Sequence, residues 1–188
     1  MRLFFAIDFT DSVKHAIVRA IDDIGIVHPP WRWVSTSNLH MTLKFLGEKP
    51  EEEVGPLGEC ARVACREFAP FSIRLGGLGG FPNLARPRVL FYRIEKGADL
   101  LVSLATRLDE TLSERMGIDR ERRPFRPHAT IARVKGHVAP EIIEALRGAP
   151  ALEGVGQRVD TLSLVRSQLH PKGAKYHHLK EFALPKPK

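Results

Sequence analysis

Cysteine is scarce in this 188-residue chain: Cys60 and Cys65 stand five apart in a stretch with helical spacing. That spacing fits neither a CxxC redox pair nor a zinc knuckle, so both thiols read as small buried apolar residues. Long apolar runs are missing too. Met1 to Ile7 is apolar but breaks at Asp8, too short for the apolar region of a signal peptide and far too short to cross a bilayer. The expectation is a cytoplasmic protein with no membrane segment. Glycine and proline are scattered rather than clustered, which argues against a disordered or fibrous chain.

What is present is a globular composition, 43% hydrophobic and 27% charged. The length suits one domain, or two small lobes sharing a core, without staples. The net charge of +7 and pI of about 9.7 favour polyanionic partners, nucleic acid or nucleotide first. Charge alone does not separate these from an ordinary solvated basic face, and the terminal Pro-Lys-Pro-Lys fits a frayed tail as well as a binding arm.

Periodicity predicts a buried strand over residues 2–7. A helix capped by Thr10 or Asp11 follows, with Val13, Ala16, Ile17, Ala20, Ile21 and Ile24 on one face. Pro29-Pro30 breaks the chain, and strands follow over 31–34 and 39–46, the latter closed by Gly47. Residues 50–68 are helical in pattern, with Pro56 in the first turn. Strands over 71–75 and 88–94 flank a Gly/Pro-rich loop, 76–87, and precede a helix over 99–116. An irregular basic stretch, 117–127, leads to a strand over 128–134. A short helix over 140–146 and strands over 157–167 and 176–182 complete an α+β pattern, too hairpin-like for a doubly wound sheet.

One tetrapeptide recurs in matching context: His40-Met41-Thr42-Leu43 and His128-Ala129-Thr130-Ile131 each lie in a predicted strand, which suggests two related lobes. Strand alternation points His and Thr of each copy to one face and the aliphatic pair to the other. Two such strands about an approximate two-fold axis would set two imidazoles and two hydroxyls around a tetrahedral phosphate. Opening a cyclic phosphodiester needs a base for water and an acid for the leaving oxygen, and imidazole suits both roles near neutrality. Thr42 and Thr130 can donate to the non-bridging oxygens. No His-x-x-x-His helix and no Asp/Glu pair adjoins either histidine, so neither metal nor cofactor is expected. A single copy would read as an ordinary strand histidine; two copies among eight histidines favour chemistry. His15, His28, His137, His170, His177 and His178 read as surface or packing residues, with His177-His178 the leading exception because Lys175 and Tyr176 adjoin them.

With these motifs the chain resembles the two-histidine phosphoesterases, specifically the RNA 2',3'-cyclic phosphodiesterases also called 2'-5' RNA ligases. The likeness runs from Arg2-Leu3-Phe4-Phe5-Ala6-Ile7 through His40 to Gly47, Phe81-Pro82, Pro87 to Leu90 and Phe125 to Arg133, to Leu164–Ser167, Gly173 and Tyr176. Phe91-Tyr92 and Ile131 depart mildly from the family's usual residues. The resemblance implies a single bilobal α+β domain over 1–188, with two pseudo-symmetric antiparallel sheets, helices outside and a central cleft. It implies hydrolysis of 2',3'-cyclic phosphate to 2'-phosphate, His40 donating a proton to O3' and His128 accepting one from water, with reversible 2'-5' ligation by the same groups. The expected partner is RNA with a cyclic phosphate end, tRNA halves included, or a nucleotide, bound by a monomer.

Arg126 and Arg133 flank the second motif, and either guanidinium suits phosphate. Arg126 fits a rim charge equally well. Arg133 is odd-numbered from His128 and reaches the same face only through a twist or bulge. Phe45 or Phe125 could stack on a base, with core packing the better reading of each. Rival functions are a non-catalytic RNA-end binding module, against which the intact motifs argue, and a phosphodiesterase for 2'-5' oligonucleotides or cyclic nucleotides.

Overall fold

The computed structural model describes residues 1–26, 29, 31–171 and 173–186. His28, Pro30 and the last two residues of the Pro-Lys-Pro-Lys tail, to which sequence readings were attached, lie outside the described residues.

The first strand, β1 (Arg2–Asp8), is buried on both faces, as its unbroken apolar run dictates. Leu3, Phe5 and Ile7 enter the main core, while Phe4 and Ala6 join a separate small cluster with Val165, against which Tyr176 packs. Thr10 then caps α1 (Asp11–Asp23), its hydroxyl accepting from the Val13 amide, an interaction worth about 1 kcal/mol. β2 (Trp31–Trp33) and β3 (His40–Glu48) follow, then α2 (Val54–Cys65), which carries Pro56 in its first turn. Gly47 does not close β3 but lies within it.

β4 spans Phe71–Phe81 and β5 spans Val89–Lys96. The predicted loop 76–87 is therefore corrected: strand structure continues through Gly76-Gly77-Leu78-Gly79-Gly80 as far as Phe81. These glycines serve close approach. A Cβ on Gly79 would lie 2.7 Å from the Phe91 ring, and one on Gly80 2.9 Å from the Asn83 carbonyl oxygen.

α3 (Ala98–Met116) buries Leu101, Leu104, Leu108 and Leu112. It stops at Gly117, whose φ of 64° permits the left-handed cap. β6 (His128–Val134) and α4 (Pro140–Arg147) follow. The continuous β-like run 157–167 is really two strands, β7 (Gly156–Val159) and β8 (Thr161–Gln168), joined to different sheets through Asp160. β9 (Lys175–Ala183) ends the sheet structure.

The strands form a four-stranded sheet, β3-β1-β8-β9, and a five-stranded sheet, β2-β6-β5-β4-β7, with antiparallel pairing throughout. The two sheets repeat one scheme. In each, a motif strand (β3 or β6) pairs with an earlier strand (β1 or β5) from which a helix-containing connection separates it. α2 packs against β8 and β9, and α3 against α2, β3 and β5. The helical layer and the aliphatic halves of both motifs, Met41 and Leu43, Ala129 and Ile131, share one core.

The repeat extends to an irregularity. Opposite β1 the register passes from Thr42 to Lys44, skipping Leu43; opposite β5 it passes from Thr130 to Ala132, skipping Ile131. Each tetrapeptide thus ends on a β-bulge, and the two motif strands share the same sequence of buried and accessible positions from the histidine through the sixth residue after it. Beyond each bulge the alternation inverts.

Candidate active site

The histidine and threonine of each motif lie on the accessible side of their strands, opposite the aliphatic core, and β3 and β6 approach within 8 Å. His40 and His128 are anchored alike. The His40 Nδ1–H donates to the Asn38 carbonyl at 2.7 Å, and the His128 Nδ1–H donates to the Arg126 carbonyl at 2.6 Å. A carbonyl oxygen can only accept, so Nδ1 carries the hydrogen in both rings and Nε2 is left to titrate. In the first half His40 Nε2 lies 3.0 Å from Thr42 Oγ1.

Aromatic rings pack each imidazole. Phe4 and Tyr176 lie 5.0 Å from His40 between centroids; Phe81 and Phe91 lie 5.1 Å from His128. Burial disfavours imidazolium and pushes both histidines below the usual value of 6.5. For His40 the Asn38 carbonyl and the Asp8 carboxylate work against that shift, while His178 and Arg133 add to it. For His128 the Arg126 carbonyl opposes it and Arg133 adds to it.

Asp8 escaped sequence reading because it is local to nothing in the motif. It reaches His40 as its partner across the β1–β3 ladder. Ser163 Oγ donates to its carboxylate at 2.7 Å, and His178 Nε2 stands 3.0 Å from both of its oxygens. Of the His177-His178 pair, it is His178 that the structure brings to the Asp8 carboxylate beside His40. Lys44, displaced inward by the first bulge, donates to Asp109 Oδ1 at 2.6 Å and to the Asp119 carbonyl at 2.9 Å.

Arg133, which needed a bulge to reach the histidine face, has one. It is solvent-accessible, and its charge acts on His40, His128 and Tyr176 together. Arg126 is exposed on the rim of a 470 Å³ cavity that Phe81, Phe91, Arg93 and His128 also line. Phe125 lines that cavity while packing against the core, as expected. The core reading of Phe45 is corrected: the bulge turns it outward, 55% exposed.

Over residues 14–171 the sequence matches the 2'-5' RNA ligase superfamily. The chain belongs to that superfamily. A Thermus thermophilus relative, named RNA 2',3'-cyclic phosphodiesterase, is 39% identical over 98% of this chain and 90% of its own. A relative of the same name from Archaeoglobus fulgidus is 34% identical over 97% and 99%. Among solved structures, E. coli LigT complexed with 3'-AMP superposes with a TM-score of 0.76 at 26% identity over 98% of both chains. A crystal structure from Thermus thermophilus reaches 0.84 at 36% over the whole of both. The bilobal α+β arrangement that the resemblance implies is the one found.

Both cysteines are buried, and burial raises their thiols, that of Cys65 to about 12. Among the described residues no group of three or more His, Cys, Asp or Glu side chains is placed to hold a metal ion, and no helix is long and apolar enough to cross a membrane.

Proposed function

We propose that this chain hydrolyses 2',3'-cyclic phosphate ends of RNA to 2'-phosphates, with His128 as base and His40 as acid. The observation that carries the reading is the duplicated anchor. Two accessible imidazoles, each with Nδ1 tied to the carbonyl two residues earlier, leave Nε2 to titrate and share a strand face with a threonine, on motif strands that approach one another. Membership of a superfamily whose members include proteins named RNA 2',3'-cyclic phosphodiesterase supports it.

In this mechanism His128 Nε2 takes a proton from water as the water oxygen attacks phosphorus in line with O3'. The P–O3' bond breaks while the His40 Nε2–H proton passes to O3', leaving a 2'-phosphate and a 3'-hydroxyl. Asp8 supports the assignment, since a carboxylate beside His40 favours the charged form an acid needs, and His128 shows no comparable acidic influence. Thr42 and Thr130 donate to the non-bridging oxygens, Arg133 offers a fork between the histidines, and Arg126 steers from the rim. A 5'-hydroxyl in place of water gives 2'-5' ligation, and reversal exchanges the two roles. The reading extends to a monomer acting in the cytoplasm, with tRNA halves among its substrates.

The test uses a short RNA with a 2',3'-cyclic phosphate, in chelator. His40→Ala and His128→Ala should each lose about two to four orders of magnitude in rate. Replacing O3' by sulfur, a leaving atom that needs no proton, should relieve His40→Ala and leave His128→Ala impaired. Relief of His128→Ala instead would reverse the roles, and abolition by chelator with recovery on adding a divalent ion would end the metal-free scheme.

A further inference from the structure

A second cavity, of about 620 Å³, lies beyond the first motif, between Lys44-Phe45-Leu46 of β3 and the segment from Met116 to Arg123. Nothing in the two-histidine chemistry uses it. Phe45 stands at its mouth, one of the few large apolar side chains exposed among the described residues. It continues a run of rings out of the active site: His40 to Phe4 at 5.0 Å, Phe4 to Phe45 at 5.9 Å.

The opposite wall is basic, and part of that charge is uncommitted. Arg120 pairs with Glu110, and Glu121 pairs with Lys44. Arg122 and Arg123 are exposed and make no ion pair among the described residues. An exposed aromatic facing free guanidinium groups combines the two elements of single-strand recognition, a stacking surface and a charge that follows the backbone. The wall is also held in place, because Lys44 donates to the Asp119 carbonyl and Asp109 accepts from the Glu121 amide at 3.0 Å.

We propose that this cavity is an RNA-strand subsite, in which Phe45 stacks on a base 5' of the cyclic end while Arg122 and Arg123 contact the phosphates there. The proposal rests on the cyclic-phosphate reading of the site and adds its substrate class, single-stranded RNA of several nucleotides rather than a mononucleotide. Only the Phe4 ring stands between the His40 and Phe45 rings, at 5.0 Å from one and 5.9 Å from the other, and the cavity with Arg122 and Arg123 opens beyond Phe45. A strand that leaves the nucleotide at His40, passes Phe45 and meets both arginines has to continue 5' of that nucleotide.

The experiment compares a 2',3'-cyclic mononucleotide with a single-stranded octanucleotide ending in the same group. For Arg122→Ala/Arg123→Ala the mononucleotide kcat/KM stays at the wild-type value. The octanucleotide KM rises roughly 5- to 100-fold at constant kcat, and the slope of log KM against log salt falls by about 1 to 2. Phe45→Ser raises the octanucleotide KM and Phe45→Trp preserves it. Equal losses on both substrates, or an unchanged octanucleotide KM, overturn the subsite. If the wild type turns over neither substrate, the catalytic reading fails. Fluorescence anisotropy with an octanucleotide ending in 2'-phosphate then decides the subsite separately: weaker binding by the double variant upholds it and equal binding removes it.

Discussion

Lys44 and Asp109 form a buried ion pair of 2.6 Å, their side chains only 4% and 10% exposed. The pair exists because the bulge at Leu43 turns a lysine into the core, where α3 must answer it. It also fixes the segment leading to the second histidine, through the Asp119 carbonyl and the Glu121 amide. Lys44→Met removes the buried cation, leaving the carboxylate with the Glu121 amide and a more distant Arg120 at 3.7 Å, and should cost about 3 kcal/mol in urea unfolding. Lys44→Met/Asp109→Leu should recover most of that loss; a double variant no more stable than the single one would mean the pair's charges are not what matters.

Lowered histidines make stability depend on pH in a defined direction. Below the unfolded value near 6.5 the unfolded chain binds protons that the half-buried His40 and His128 resist. Their contribution is intact above 6.5 and is lost as pH falls toward the folded values. The urea midpoint should drop between pH 7.5 and pH 5, and His40→Gln/His128→Gln should flatten that drop. On the same grounds kcat/KM should peak on the acid side of 7.

Arg133 lowers both histidines, so Arg133→Gln should raise both in an NMR titration while Arg133→Lys, which keeps the charge, leaves them close to wild type. Both variants should turn over more slowly, because lysine lacks the guanidinium fork. A rise confined to one histidine would place Arg133 in one lobe rather than between the two.

Gly79 gives room to Phe91, whose ring packs on His128. Gly79→Ala must displace that ring, and the expected result is a fall in kcat with an altered His128 titration. Unchanged kinetics would show that Phe91 does not position the imidazole.

These predictions show where the sequence was legible and where it was not. α1 and α3 follow from apolar spacing, and the shared face of His40 with Thr42, and of His128 with Thr130, from strand alternation, because each pattern is local. Phe45 was misread because alternation is trusted until a bulge breaks it, and no residue in Leu43-Lys44 announces one. The matching bulge at Ile131 enters a sequence reading only as something Arg133 requires. Gly76 to Gly80 resembled a loop because composition cannot tell glycine needed for a turn from glycine needed for clearance. Asp8 and His178 come to His40 through pairings between β1, β3, β8 and β9, which local pattern cannot register.

The step at Asp160 from one sheet to the other has a consequence for biogenesis. β1, which precedes every other strand of the two sheets, lies between β3 and β8, with Arg2 opposite Ser167. On the ribosome one edge of β1 therefore waits through most of translation, and pairings this distant in sequence are slow to form. The two lobes cannot mature one after the other. Tyr176 and His178 reach His40 only when the last strand is laid down, so a nascent chain carrying both tetrapeptides is still an incomplete catalyst with an open sheet edge, prone to pair with a neighbour.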